Sequence, residues 1–363
     1  MRVLYLAMES ANWILNLCNE ICKKGHEVTC VVQGVDEYDK EHPIIPHENL
    51  EIIYCPYRTF TTPLEFQKSD VMRKLIPQKF DIVFGSHVQV SPVTKMVAET
   101  FGLPWGIMLL DIPTHLMKVQ RGRMMDWVYY FDVMKFANVI LFNTHIARDE
   151  YYKYTHQWFD DPCVITYGIN MNEEYFKSGL DTKGDYVLSV CRMNEQKNCN
   201  LIPRALGLIT GIKKYIAVGW DDGDLELTKR LCEVNGIEFE HYENLSEENK
   251  FKLIRDCAML IYPQKTEYIG GLSPWEGLYA SKPVLVPKLK VLHDLYKSHA
   301  IYFENDNSVS LAREISFTND IRPEITRPLR EQGADFAKIE SSFETMASRM
   351  LHIFDSIIRN VQK

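Results

Sequence analysis

The sequence predicts an α/β protein made of two doubly wound, Rossmann-like domains, and three observations predict it. At 363 residues the chain is longer than one such domain usually needs. Short apolar runs alternate with helix-length amphipathic segments along its whole length, the pattern of open parallel sheets covered by helices. The alternation is interrupted once, by the polar, non-periodic stretch 170–185, and then resumes.

The elements follow in order. An apolar run at 3–7, an amphipathic segment over 13–24 and a second apolar run at 28–32 make a parallel β-α-β start, with Gly25 placed to cap the helix. Runs at 51–54, 81–84, 105–110 and 139–142 continue the first sheet, with helix-length segments such as 92–101 between them. Beyond the interruption, strands are expected at 186–190, 214–218, 238–241, 259–262, 284–286 and 300–303. In the last segment, 341–360, Phe343, Met346, Met350, Leu351, Phe354, Ile357 and Ile358 recur at helical spacing, which predicts a long amphipathic helix. The expected division is 1–172, 173–340 and a terminal helix over 341–363.

Composition narrows the function classes. With 46% hydrophobic and 25% charged residues the chain buries a sizeable core. A net charge of −8 speaks against a broad nucleic-acid-binding face, so phosphate recognition has to be local. The nine cysteines are scattered, with no Cys-x-x-Cys pair and no zinc-ligand spacing. They read as free, buried thiols in a reducing compartment, and no metal is expected. The first apolar run, six residues ending before Glu9, is too short for a signal peptide, and no stretch reaches the roughly 18 apolar residues of a membrane span. The expectation is a cytoplasmic protein.

Open α/β sheets bind ligands at the carboxyl ends of strands, where loop amides and helix N-termini converge. After the strand ending at Val190, Arg192 and Lys197 share one turn, and two cations there suit a pyrophosphate. After the strand ending at Tyr262, Gly270 and Gly271 permit close backbone approach, and Ser273-Pro274 reads as a helix N-cap followed by proline. The amides of Gly271, Leu272 and Ser273 would then face an anion. Glu276 falls in the first turn, where its carboxylate either grips ribose hydroxyls or complements the helix dipole. His87, just after the strand 81–85, is a candidate contact to a donor sugar or acceptor. Ser10 and Asn12 either line the same edge or cap the helix they precede. Between residues 118 and 135, Lys118, Arg121, Arg123 and Lys135 interleave with Met124, Met125, Trp127, Tyr129, Tyr130 and Phe131. That stretch is either a peripheral membrane contact or an internal helix with its aromatics in the core.

In this order the residues resemble the retaining GT-B glycosyltransferases of family 4. That family shows Gly-Arg-Leu and Lys-Gly after a strand, then Glu, seven residues and Glu, then Ala-x-Ala-x-Gly-x-Pro-Val. Here stand Cys191-Arg192-Met193 with Lys197-Asn198, then Glu267 and Glu276, then Ala280-Ser281-Lys282-Pro283-Val284. Further landmarks are Lys24-Gly25-His26-Glu27, Phe80-Asp81-Ile82-Val83, Tyr167-Gly168-Ile169-Asn170, Ala217-Val218-Gly219-Trp220, Leu245-Ser246 and Tyr302-Phe303-Glu304-Asn305.

The resemblance implies a GT-B fold, α/β, with two facing Rossmann-like domains and a C-terminal helix crossing back to the first. It implies transfer of a sugar from a nucleoside diphosphate donor, uridine or guanosine, to a carbohydrate, lipid-linked or protein acceptor bound by the N-terminal domain. Anomeric retention and chemistry without a metal or other cofactor belong to the same implication. Arg192 and Lys197 would hold the pyrophosphate and offset charge on the departing diphosphate. Glu276 would bind the ribose, Glu267 the donor sugar, Gly271 and Leu272 the phosphate or sugar, and Tyr242 with Glu243 would flank the base.

Three departures accompany the match. Eight residues separate Glu267 from Glu276 instead of seven. Leu110 stands where the family often has His, leaving Asp111 as the polar group facing the reacting sugar. Met8-Glu9-Ser10-Ala11-Asn12 replaces a Gly-rich turn. A non-catalytic nucleotide-sugar binder and a GT-B nucleotide-sugar epimerase are the alternative readings.

Overall fold

The protein is described by a computed structural model covering residues 1–7, 12–33, 43–56, 62–113, 124–171, 180, 184–267, 270–321 and 323–361. The chain divides into two compact units, Met1–Gly168 with Phe343–Lys363, and Ile169–Ser342.

The first unit contains β1 (Arg2–Ala7), α1 (Asn12–Lys23), β2 (Glu27–Gln33), β3 (Leu50–Cys55), α2 (Pro63–Lys68), α3 (Asp70–Leu75), β4 (Ile82–Ser86), α4 (Ser91–Phe101), β5 (Trp105–Leu109), α5 (Met124–Met134), β6 (Val139–Phe142) and α6 (His145–Thr155). Its sheet has the order β3-β2-β1-β4-β5-β6, and all neighbouring pairs are parallel. The central strand β1 is an unbroken apolar run because helices cover both faces of a parallel sheet; Val3 to Ala7 have no exposed surface. The edge strand β3 alternates buried and exposed residues instead. Helix α6 starts at Thr144, whose hydroxyl accepts from the Ala147 amide at 3.0 Å.

The second unit contains β7 (Val187–Val190), α7 (Leu201–Gly207), β8 (Lys214–Val218), α8 (Leu225–Val234), β9 (Glu238–Tyr242), α9 (Glu247–Asp256), β10 (Met259–Ile261), α10 (Ser273–Tyr279), β11 (Val284–Pro287), α11 (Lys290–Tyr296), β12 (Ile301–Phe303), α12 (Ser308–Asp320) and α13 (Pro323–Ser341). Its order, β12-β11-β10-β7-β8-β9, is the same arrangement as the first once each unit's strands are counted from its own start, and it too is entirely parallel.

The last helix, α14 (Phe343–Val361), belongs to the first unit. Its buried face carries Phe343, Met346, Ala347, Met350, Leu351, Ile353 and Phe354. Phe354 packs on Phe84 of β4 with ring centroids 4.9 Å apart. Helical spacing of apolar residues marks this helix in the sequence but does not mark α13, which precedes it. Of the polar stretch 170–185, residues 172–179 and 181–183 lie outside the described residues.

Candidate functional site

In each unit the strand order reverses between the first and fourth strands. The crevice outside their carboxyl ends is where such sheets hold ligands. In the second unit those strands are β7 and β10.

The loop leaving β7 returns close to the turn after β8. Gly219 has φ +139°, and a Cβ there would lie 2.2 Å from the Cys191 carbonyl oxygen, so only glycine fits. Cys191 Sγ lies 3.4 Å from Cys199 Sγ, and all nine cysteines are free. On this loop Lys197 is buried, with 8% of its surface exposed. Its Nζ donates to the Tyr262 hydroxyl at 2.5 Å and to Gln264 Oε1 at 3.0 Å, while the Tyr262 hydroxyl donates to Gln264 Oε1 at 2.9 Å. Both partners are buried and follow directly from β10. Burial pushes the Lys197 ammonium down to about 8, opposed in part by the neighbouring Cys191 thiol. The Lys265 amide donates to the Gln196 carbonyl at 2.9 Å and ties the two loops together. Arg192 is exposed, without a hydrogen-bond or ion-pair partner among the described residues.

The segment after β10 differs from expectation at its helix start. Leu272 occupies the N-cap position of α10, with φ −74° and ψ −34° and no side-chain cap, and Ser273 is the first helical residue ahead of Pro274. The expected Ser273 cap is therefore displaced by one residue. A Cβ on Gly271 would fall 2.7 Å from the Tyr262 ring, and the Gly271 carbonyl accepts from the Tyr296 hydroxyl at 2.8 Å. Gly270 lies against Leu295 in the same way. Glycines here let the loop lie flat on two tyrosines.

Glu276, in the first turn of α10, is 5% exposed. Its Oε1 accepts from Lys250 Nζ at 2.8 Å, and Lys250 also reaches Glu247 Oε1 at 2.7 Å. Oε2 of Glu276 has no protein donor among the described residues. Burial pushes the Glu276 carboxyl up, and Lys250 is the group that opposes it. Burial alone would lower the Lys250 ammonium, but the Glu276 and Glu247 carboxylates prevail and hold it above its ordinary value.

Glu267 takes a different part from the one the resemblance implies. Its Oε1 accepts from the Lys290 amide at 2.7 Å and its Oε2 from the Val291 amide at 3.0 Å. Both carboxylate oxygens cap α11, whose own N-cap residue, Leu289, has no side-chain acceptor. In this structure the carboxylate holds a helix end. Tyr242 ends the edge strand β9, two strands from β7, and Glu243 follows it. Both are exposed; the Tyr242 hydroxyl donates to Glu240 Oε2 at 2.5 Å, and Glu243 Oε1 accepts from the Asp221 amide at 3.1 Å.

In the first unit the corresponding strands are β1 and β4. Ser10 lies outside the described residues; Asn12 opens α1 and is half-buried. His87 follows β4 with φ 72° and ψ 141°, a backbone region that costs a side-chain-bearing residue about 1–3 kcal/mol. Its amide is held by the Met108 carbonyl at 3.1 Å. Asp111 is half-buried just beyond β5. The carbonyl of buried Leu110 accepts from the Tyr167 hydroxyl at 2.8 Å and from Asn143 Nδ2 at 3.3 Å. Asn143 and Tyr167 make an uncharged polar cluster that sequence reading missed.

Where it is described, the basic and aromatic stretch is internal in part, with Val128 and Tyr129 42% and 52% exposed. Lys118, Arg121 and Arg123 lie outside the described residues, whereas Trp127 and Phe131 are 2% and 3% exposed and belong to the core. Lys135 pairs with Asp132 at 2.6 Å. Among the described residues no helix is long and apolar enough to cross a membrane, and no group of three or more His, Cys, Asp or Glu is placed to hold a metal ion.

Sequence reading also missed Tyr262, Gln264 and Lys250. Gln264 left a trace, a polar residue directly after an apolar strand and a proline. Lys250 left none, because three residues after Glu247 it reads as an ordinary surface ion pair.

The sequence matches no protein-family model and no curated protein. Solved structures nevertheless resemble it over their full length. Sucrose-phosphate synthase from Thermosynechococcus elongatus aligns with a TM-score of 0.78 at 14% identity, covering 99% of this chain and 100% of that one. Anabaena HepE in complex with UDP-glucose aligns with a TM-score of 0.75 at 14% identity, covering 98% and 100%. A glycosyltransferase from Rickettsia africae gives 0.75 at 14% identity, covering 99% of each chain. The two parallel six-stranded sheets are thus those of the GT-B fold.

Proposed function

We propose that this chain is a glycosyltransferase that moves a sugar from a nucleoside diphosphate donor, bound by the C-terminal unit, to an acceptor bound by the N-terminal unit. The observation that carries the reading is a buried ammonium and a buried carboxylate at one edge of one sheet. Lys197 follows β7 and Glu276 follows β10, at the place where strand order reverses. Burying either ion costs several kcal/mol unless it is compensated. In the proposed site a diphosphate faces the ammonium, and a ribose diol faces the carboxylate that Lys250 already pairs.

In this reading Lys197 and the exposed Arg192 sit on the diphosphate. As the bond from the anomeric carbon to the diphosphate oxygen lengthens, negative charge accumulates on that oxygen and the two cations stabilise it. Tyr262 and Gln264 fix where the Lys197 ammonium lies, so little reorganisation is needed as charge develops. The bound anion also raises the lysine above about 8 and keeps it protonated at neutral pH. Oε2 of Glu276 accepts from ribose hydroxyls. The open amide end of α10 and the glycines before it lie against the phosphate or sugar, and Tyr242 with Glu243 flank the base. On the acceptor side, Asp111 and His87 are the polar groups assigned to the reacting sugar. Retention at the anomeric carbon and transfer without a metal complete the proposal; they rest on the resemblance of the Arg192, Lys197 and Glu276 pattern. Uridine donors are the first to try, since HepE carries UDP-glucose in its structure.

The test screens uridine, guanosine and adenosine diphosphate sugars for thermal stabilisation and for release of the nucleoside diphosphate, with Lys197→Ala as control. Stabilisation by one donor plus release that disappears in the variant supports the transferase. Binding without release under any acceptor condition assigns a non-catalytic binder, a reading that the capping role of Glu267 favours. Interconversion of the sugar with no transfer product assigns an epimerase.

A further inference from the structure

We infer that Lys250 is the positioning residue that gives this protein its selectivity for ribose over deoxyribose diphosphates, by keeping Glu276 ionised and holding one of its oxygens. The inference rests on the proposed donor site and adds to it a residue that no sequence motif marks.

A carboxylate offers about four lone-pair directions, all acceptors, whereas a neutral carboxylic acid spends one oxygen as a donor. Two vicinal hydroxyls of a ribose are two O–H donors, so they are matched by the ionised form. Glu276 sits where ionisation is disfavoured: it is 5% exposed and burial pushes its carboxyl up. The one cation that opposes this is Lys250, at 2.8 Å from Oε1. Lys250 is itself held in place, since its second carboxylate partner, Glu247, lies three residues earlier on the same helix. Oε1 is thereby occupied, and Oε2 keeps its lone pairs without a protein donor among the described residues. Among the described contacts the carboxylates of Glu276 and Glu247 share the ammonium of Lys250. Phosphate is left to Lys197 and Arg192, so the two ends of a nucleoside diphosphate are distinguished by charge.

The experiment measures dissociation constants by calorimetry on the full-length chain. The probes are UDP and 2′,3′-dideoxyuridine diphosphate, with the guanosine and adenosine pairs alongside. In the wild type the ribose form is expected to bind at least about 10-fold more tightly, as befits hydrogen bonds to a charged acceptor. Lys250→Met is expected to bring that ratio close to one at neutral pH by weakening only the ribose form. The ratio should recover as pH is raised and the buried carboxyl ionises. Lys250→Arg keeps the charge and should retain most of the selectivity. Lys250→Gln keeps a donor without the charge and should fall between; it carries the test if the methionine variant does not fold. A purely structural lysine would change both affinities together and leave the ratio alone. A folded Lys250→Met or Lys250→Gln with the wild-type ratio overturns the role of Lys250 while leaving the donor site standing. A wild-type ratio of one overturns it together with the ribose assignment of Glu276, and no binding of any of the three diphosphates overturns the donor site itself.

Discussion

The two units share a strand order and a parallel sheet of six strands, yet they bury different chemistry at the carboxyl ends of those strands. In the second unit Lys197, after β7, and Glu276, after β10, are both less than a tenth exposed. In the first, the buried polar side chains near the strand ends are Ser86, Asn143 and Thr144, all uncharged, with Arg148 the one buried ion of that unit among the described residues. Topology is therefore silent about which unit holds a charged ligand. The buried Lys197 and Glu276 follow β7 and β10, where the proposed donor site lies.

The two units differ most in what they lose at the chain's end. Removing residues 343–363 exposes the face of the first unit that Phe343, Met346, Met350, Leu351 and Phe354 now cover, at about 1.5–3 kcal/mol per side chain. The sum is comparable with the whole stability of a domain. Hydrogen exchange should show loss of protection in residues 1–168 ahead of residues 169–342.

Next in size is Glu276→Leu, which leaves Lys250 with Glu247 alone and removes a buried ion's partner, at about 3–5 kcal/mol. Its counterpart in the first unit, Asn143→Ala, breaks hydrogen bonds to the Leu110 carbonyl and the Tyr167 hydroxyl and should cost only about 1–3 kcal/mol. Urea unfolding of the two variants compares them directly; equal losses would remove the distinction between the units.

Lys197→Met should lower diphosphate release about 100-fold or more, the usual scale for a group that stabilises charge only as the reaction proceeds. Asp111→Asn, on the acceptor side, is expected to spare donor affinity while lowering transfer. Steady-state kinetics with varied donor separate the two.

The smallest effect is on stability against pH. Lys197 is held at about 8 in the folded chain and stands near 10.4 when unfolded, so the unfolded state binds more protons between those values. Stability contributed by this group therefore rises as pH climbs from about 8 to about 10.4, and buried Lys282, also lowered to about 8, acts in the same direction. Lys197→Met should flatten that rise in melting temperature. Donor binding runs the other way and weakens above about pH 8, because the diphosphate needs the protonated lysine.

How much of this was legible follows from what each residue's part depends on. The twelve strands are continuous apolar or alternating runs, so local pattern suffices to find them. Arg192, Lys197 and Glu276 stand out in the sequence because they lie next to strand ends and helix starts. Ser273 was misplaced by one residue because Leu272 takes the N-cap position without offering a side-chain acceptor. The contacts of Glu267 to the amides of Lys290 and Val291 leave no local signal, because those amides lie 23 and 24 residues along the chain.

The sequence by itself determined the α/β class, the doubling of the sheet and the edge at which cations gather, since periodicity, length and neighbouring residues carry that information. Only the tertiary structure decided that Lys197 is clasped by Tyr262 and Gln264, that Glu276 shares Lys250 with Glu247, and that Glu267 caps a helix. Each depends on which strands lie side by side and on how much water is excluded there. Desolvation and hydrogen-bond partners belong to the folded chain, and no spacing within the sequence encodes them.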